Sequence, residues 1–289
     1  MKTTSKLWLG LGTVVVAGAG LAGADLGQVA AAPGLHQTDS IQLAQHAAGG
    51  HGASAKPAKG QGGEGGEGGE GGKAEALAPN LKFARSIALI RGHLLVGDEL
   101  VRAGRFGEAL PHFLHPAEEI YGGIKGDLAT YKVRPFEAAL KALVQTVKAK
   151  KKEAYDGALK QVQERLAEAD VALRAAEQNW PRFSVETALE TLKVAADEYG
   201  NAIEKGRIAK AVEYQDSRGF VWQAEAMIEA VAADLQAKNA DALKEVRGAF
   251  AGLKKAWPTA VAPKKPVKDA SDVLSDIARV ELQAGNFLR

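Results

Sequence analysis

From about residue 80 onward, apolar residues recur every three or four positions, the period of one face of an α-helix. Clear stripes of this kind run from Leu159 to Leu173, from Phe220 to Leu235 and from Leu243 to Trp257. The same region is rich in Ala, Leu, Glu and Lys, which favour helices, and it shows no strand-like alternation. The pattern predicts an all-α fold, an antiparallel bundle of about seven or eight helices.

Gly and Pro mark the expected ends of these helices. The predicted breaks lie at Gly104, Gly122–Gly123, Asn179–Trp180–Pro181, Gly200, Gly206, Gly219 and Trp257–Pro258. Sliding the chain by 84 residues lays Phe136 on Phe220 and Val162 on Val246, and both copies close with Trp-Pro. This self-similarity predicts an internal duplication, with repeats at 105–181 and 189–258.

The N-terminus has the order of a secretory signal peptide. Lys2 and Lys6 precede a short apolar stretch, and Ala22-Gly23-Ala24 follows it as an A-x-A cleavage signal, which predicts a signal peptide over residues 1–24. The stretch is too short to span a bilayer, and no later run is long and apolar enough to do so. The chain has no Cys, which excludes both disulfides and a lipid attached to Cys. We therefore expect a periplasmic or secreted protein without a transmembrane segment after cleavage.

A Gly-rich tract separates this leader from the helical region. Its repeated Gly-Gly-Glu triplets cannot bury apolar surface, so residues 25–79 are predicted to be a disordered linker, and residues 80–289 the helical bundle domain. The formal net charge of +2 is close to balance and gives no indication of nucleic-acid binding.

Histidines carry the candidate chemistry of the folded region. On one helix, Glu108, His112, His115 and Glu119 share a narrow strip, because residues three and four apart stack on one helical face. In an antiparallel hairpin that turns at Gly104, His93 lies at the height of His115. Pro116 removes a backbone donor and can kink this helix, as happens in bundles that carry a site.

Imidazole and carboxylate are ligands that iron, copper and zinc accept. We therefore predict a transition-metal site formed by His112, His115, Glu119 or Glu118, with His93 contributing from the neighbouring helix. Two alternatives remain open: the strip is an ordinary solvated surface, or it binds a partner protein. If the duplication holds, the counterpart of the His112 helix carries further candidate carboxylates. They are Asp197, Glu198 and Glu204.

The acidic, aromatic segment before Phe220 has a structural interpretation. Asp216 and Arg218 lie two residues apart there; they could line a groove, but we favour a salt bridge between them. No catalytic nucleophile is apparent, since the chain lacks Cys, a G-x-S-x-G elbow and an H-E-x-x-H motif. We therefore do not expect an enzyme. The expected task is capture or delivery of a metal ion, and the alternative is a non-enzymatic scaffolding or interaction protein of the cell envelope.

The stretch His115-Pro116-Ala117-Glu118, followed by Tyr121 and Gly122, resembles the H-x-x-E motif of the imelysin-like proteins. Those proteins are exported, all-helical, internally duplicated and linked to periplasmic iron uptake. The resemblance implies that His115 and Glu118 help to bind metal, that the metal is iron, and that a membrane metal transporter or another envelope protein is the partner.

A second resemblance concerns the preceding turn. The stretch from Gly104 to Leu110 resembles the turn of a tetratricopeptide hairpin, in which a small residue and an Ala-Leu pair pack two antiparallel helices. No 34-residue period accompanies it. The resemblance supports the hairpin geometry of the His93 and His115 helices.

Overall fold

The structure is a computed structural model that describes residues 77–289. The predicted signal peptide and almost all of the predicted linker, with His36, His46 and His51, lie outside the described residues. The predicted all-α class is confirmed. With the pieces between Phe106 and Ile124 taken as one interrupted helix, the described part has nine helices. In chain order the elements are α1 (Pro79–Arg102), α2 (Phe106–Ala109), α3 (Pro111–His115), a π-helical turn (Pro116–Ile120), α4 (Tyr121–Ile124), α5 (Glu137–Lys148), α6 (Lys152–Ala176), α7 (Trp180–Ala202), β1 (Ile203–Glu204), β2 (Arg207–Ile208), α8 (Ala211–Ala230), α9 (Ala232–Lys238), α10 (Ala240–Leu253), a 3₁₀ turn (Lys254–Ala256), α11 (Ala270–Ala284) and a 3₁₀ turn (Gly285–Phe287).

Several predicted breaks are confirmed. Gly104, at a φ of +77°, lies in the turn that ends α1, and α10 passes through its 3₁₀ turn into Trp257–Pro258. Asn179 caps α7, because its side chain accepts a hydrogen bond from the backbone N–H of Arg182 at 3.1 Å.

A two-residue hairpin interrupts the helical pattern after α7. Strands β1 and β2 pair antiparallel with Ile203 opposite Ile208. The loop residues Lys205 and Gly206 have φ of +50° and +71°, the left-handed values that a tight turn of this kind requires. The predicted break at Gly206 is thus a hairpin turn that reverses the chain between α7 and α8.

The prediction of a helix break at Gly219 was wrong, since Gly219 lies in the middle of α8. Its missing side chain instead permits a close crossing of α1 and α8. A Cβ built on Gly219 would lie 2.2 Å from the carbonyl oxygen of Gly92, and one on Gly92 would lie 2.5 Å from a ring carbon of Phe220. These distances are far below van der Waals contact. Two glycines face one another because only glycine fits there.

The 84-residue register pairs positions of different local structure. Phe136 is the residue before α5, whereas Phe220 lies within α8. Trp180 begins α7, whereas Trp257 follows the end of a 3₁₀ turn. The duplication stays a prediction from the sequence.

The core of the C-terminal half is organised around Trp257, which is buried among Tyr199, Tyr214 and Trp222. Helix α7 packs against α8, and α11 packs against both α7 and α10. Helix α1 packs against α7 and α8, and so joins the N-terminal helices to this bundle. Within the described residues, no helix has both the length and the apolarity needed to cross a bilayer.

Candidate metal centre

Three helices bring the three histidines of the described region to one buried carboxylate. His93 comes from α1, His112 and His115 come from α3, and Asp216 comes from α8. His93 and His112 are fully buried, and Asp216 is 1% exposed, whereas the His115 side chain retains 28% of its exposure. The interpretation of the strip as an ordinary solvated surface is therefore wrong for His112.

Glycines on α1 allow this approach. Gly92 faces Gly219 of α8, and five residues further on Gly97 faces the ring of Phe113 on α3 at a distance that leaves no room for a Cβ. His93 lies between the two close approaches. Its ring meets Phe220 edge-on at a centroid distance of 5.0 Å.

The Nδ1 atoms of all three imidazoles face the Asp216 carboxylate. His93 and His112 place Nδ1 at 2.6 Å and 2.7 Å from Oδ1, and His115 places Nδ1 at 3.4 Å from Oδ2. The predicted equal height of His93 and His115 is confirmed, since their rings lie edge-to-face with centroids 5.2 Å apart.

Burial and the neighbouring groups shift the pKa values of Asp216 and His115. Burial would raise the pKa of Asp216, but the facing imidazoles of His93 and His112 outweigh burial and hold that pKa well below its usual range. For His115, burial lowers the pKa, while the hydrogen bond and the charge of Asp216 raise it, and the net shift is upward. Each group thus stabilises the charged form of the other.

Among the residues that the structure describes, His93, His115 and Asp216 form a group that could hold a metal ion. Each offers one ligand atom, and these atoms lie within 4.8 Å of one another. Two imidazole nitrogens and one carboxylate oxygen are a donor set that zinc, iron and copper accept, with positions left open for water or a further ligand. The chemistry of the residues present therefore fits a transition-metal ion.

Glu118 and Glu119 lie outside this group. Both are exposed on the π-helical turn that begins at Pro116, where the chain departs from regular α-helical spacing. The carboxylate that reaches the imidazoles is Asp216 of α8. Spacing along one helix indicates which residues share a face, but it does not indicate which neighbouring helix supplies a carboxylate. The predicted local break at Pro116 is confirmed.

The predicted salt bridge between Asp216 and Arg218 was wrong. Asp216 pairs with the histidines, while Arg218 forms a two-pronged ion pair with Glu99 at 3.0–3.1 Å and stacks on Trp222 at 3.9 Å. Residues two apart on a helix point to nearly opposite sides, so one side chain cannot easily meet the other. A signal for Asp216 was present, because it lies four residues before Phe220 and so extends that apolar stripe by one turn.

Part of the chain is similar to a known protein domain. Residues 174–288 match the iron permease-associated 4-helix bundle domain. The match relates the chain to iron uptake, as the imelysin-like resemblance also implied, but it does not point to the imelysin-like proteins specifically. No curated protein and no solved structure matches the chain.

The 4-helix bundle match supplies only part of the candidate centre. It spans α7 to α11 and includes Asp216, whereas His93, His112 and His115 all precede it. The imidazoles therefore come from helices that lie before the matched segment and pack onto it.

Proposed function

We propose that this chain is an exported, non-catalytic protein of iron uptake, which captures a transition-metal ion at His93, His115 and Asp216 and delivers it to a membrane metal transporter. The observation that carries the proposal is the buried group of two imidazoles and one carboxylate, built onto a segment that matches an iron permease-associated domain. Export to the periplasm rests on the signal-peptide pattern of residues 1–24.

The burial of Asp216 favours a binding site over an ordinary solvated surface. A carboxylate taken out of water is costly unless charged or hydrogen-bonding partners surround it, and three imidazoles do so here. His115 is the partly exposed member, so it offers the ion a route from solvent.

The donor set narrows the class of ion. Nitrogen and oxygen donors suit Fe²⁺, Zn²⁺ and Cu²⁺, whereas Cu⁺ prefers the sulfur of thiolates and thioethers, and the chain has no Cys. We place iron first because of the iron permease-associated match.

The test is a metal titration of the full chain without an affinity tag. The chain carries His36, His46 and His51 before the described residues, so the reference protein has these three changed to Ala. We expect the reference to bind one equivalent of Fe²⁺ under anaerobic conditions, measured by calorimetry and elemental analysis. Asp216→Asn keeps the size of the side chain but removes its charge, and it should weaken binding by about 100-fold, the upper end of the range for residues around a metal.

The matched control removes charge from the exposed carboxylates. Glu118→Gln with Glu119→Gln should leave the affinity within about threefold, while circular dichroism shows that every variant is folded. Loss of binding in the reference protein, with retention in the chain that keeps His36, His46 and His51, would place the metal on the N-terminal histidines and contradict the proposal. Absence of binding in both would favour the interaction or scaffolding role.

A further inference from the structure

Both ring nitrogens of His112 have protein partners. Nδ1 lies 2.7 Å from Oδ1 of Asp216, and Nε2 lies 2.9 Å from Oε1 of Gln215. The ring is fully buried, as is the Gln215 amide. His112 is also absent from the group whose ligand atoms lie close together.

The backbone fixes the direction of these hydrogen bonds. The amide nitrogen of Gln215 donates to the carbonyl oxygen of Ala260 at 3.0 Å, so Oε1 is the atom that faces His112. An amide oxygen only accepts, so Nε2 of His112 carries the proton that it donates. A proton also lies between Nδ1 and Asp216, because two acceptors do not face one another at 2.7 Å. Neither nitrogen is left with a lone pair for a metal ion.

The loop after the 3₁₀ turn holds this arrangement in place. Besides the bond to Ala260, the indole N–H of Trp257 donates to the backbone oxygen of Tyr214 at 3.1 Å, and Arg218 donates to the backbone oxygen of Trp257 at 3.0 Å. The segment around Gln215 and Asp216 is thus tied to the loop at neighbouring points. Such support fixes the orientation of side chains that surround a site.

We propose that His112 is a positioning residue of the centre and not one of its ligands, an inference that rests on the proposed function. His112 holds Oδ1 of Asp216, which His93 also faces, while Oδ2 is turned toward His115 on the exposed side of the cluster. Asp216 then offers one oxygen to the ion. His112 was predicted to be a ligand. Its role here is instead to take part in a relay of hydrogen bonds, which runs from Ala260 through Gln215 and His112 to Asp216.

Two substitutions distinguish the role of Nδ1 of His112 from that of Nε2. The amide nitrogen of an Asn side chain falls near the position of Nδ1, so His112→Asn keeps a donor to Asp216. The amide nitrogen of a Gln side chain falls near Nε2, so His112→Gln keeps the contact with Gln215 and loses the donor to Asp216. Both variants remove the imidazole, and both are made in the chain that lacks His36, His46 and His51.

We expect His112→Asn to bind Fe²⁺ within about threefold of its parent, and His112→Gln to bind about 10- to 100-fold more weakly, the usual effect of losing a residue that orients a ligand. Pulsed electron paramagnetic resonance of the Cu²⁺-loaded proteins counts the coordinated imidazoles. The count should be two in the parent and should stay at two in His112→Asn.

Other results would overturn the inference in distinct ways. Three imidazoles in the parent and two in the variants would make His112 a ligand. Equal losses of affinity in both variants, in step with their melting temperatures, would reduce His112 to a packing role, and unchanged affinity in both would remove the relay. A parent that binds no metal would instead contradict the proposed function itself, and the positioning role with it.

Discussion

The close crossing of α1 and α8 at Gly219 allows the loss of stability in a Gly219→Ala variant to be estimated from distances. In Gly219→Ala, the new Cβ would lie 2.2 Å from the carbonyl oxygen of Gly92 and 2.8 Å from its carbonyl carbon. Both atoms belong to the backbone of α1, so no side chain can rotate away, and the two helices must separate. Overpacking of this kind costs about 1–3 kcal/mol, and we expect Gly219→Ala to lower the free energy of unfolding by about 3 kcal/mol because the clash is with backbone atoms.

The matched control is a glycine of α10. Gly248 is exposed, and a Cβ built on it meets nothing within 4 Å. Gly248→Ala should therefore leave the free energy of unfolding unchanged or raise it by up to about 1 kcal/mol, since Ala favours helix interiors.

Thermal and urea unfolding followed by circular dichroism compare the two variants. Gly219→Ala should lower the melting temperature by roughly 6–12 °C at about 2–4 °C per kcal/mol for a domain of this size. It should also weaken metal binding, because His93 and Asp216 lie on the two helices that move apart. Equal stability of Gly219→Ala and Gly248→Ala would refute the close crossing.

Further predictions concern the charges of α8 and α3. Arg218→Met should lower the free energy of unfolding by about 2 kcal/mol, because it removes the ion pair with the half-exposed Glu99. Arg218→Lys should lower it by about 1 kcal/mol, because Lys keeps the charge but not the two-pronged contact. Equal stability of the Lys variant and the parent in urea would contradict this. The raised pKa of His115 means that its contribution to the stability of the metal-free protein is complete below about pH 6.5 and is lost as pH rises through the raised value. The urea concentration at the unfolding midpoint should therefore decrease as pH rises from about 6.5 through the raised pKa of His115 in the parent, but not in His115→Gln. The lowered pKa of Asp216 works in the opposite direction: its contribution is present above about pH 3.9 and is lost as pH falls through the lower folded-state value, a loss that Asp216→Asn should abolish in acid titrations.

Local chemistry was enough to predict the fold class and part of the hairpin. The helical period gave the all-α class, and Gly104 marked the turn that sets His93 level with His115, because both features depend on residues close in sequence. Pro116 likewise marked the local break of its helix.

The partner of the histidines depends on tertiary packing and was not predicted. Asp216 lies more than 100 residues from His112 along the chain, and it meets the histidines only because α8 packs against α1 and α3. Gly219 was interpreted as a helix break, although glycine in a helix can equally permit a close approach of a second helix. An acidic residue on an apolar stripe, four positions before Phe220, was the signal that could have identified Asp216 as buried.

The metal site can be located by the anomalous diffraction of a crystal loaded with Fe²⁺ or Zn²⁺, recorded at the absorption edge of the metal. We expect one strong peak about 2.0–2.2 Å from a ring nitrogen of His93, a ring nitrogen of His115 and a carboxylate oxygen of Asp216, with His112 outside bonding distance. A peak at Glu118 and Glu119 instead, or no peak beside Asp216 in a crystal that contains the metal, would contradict it.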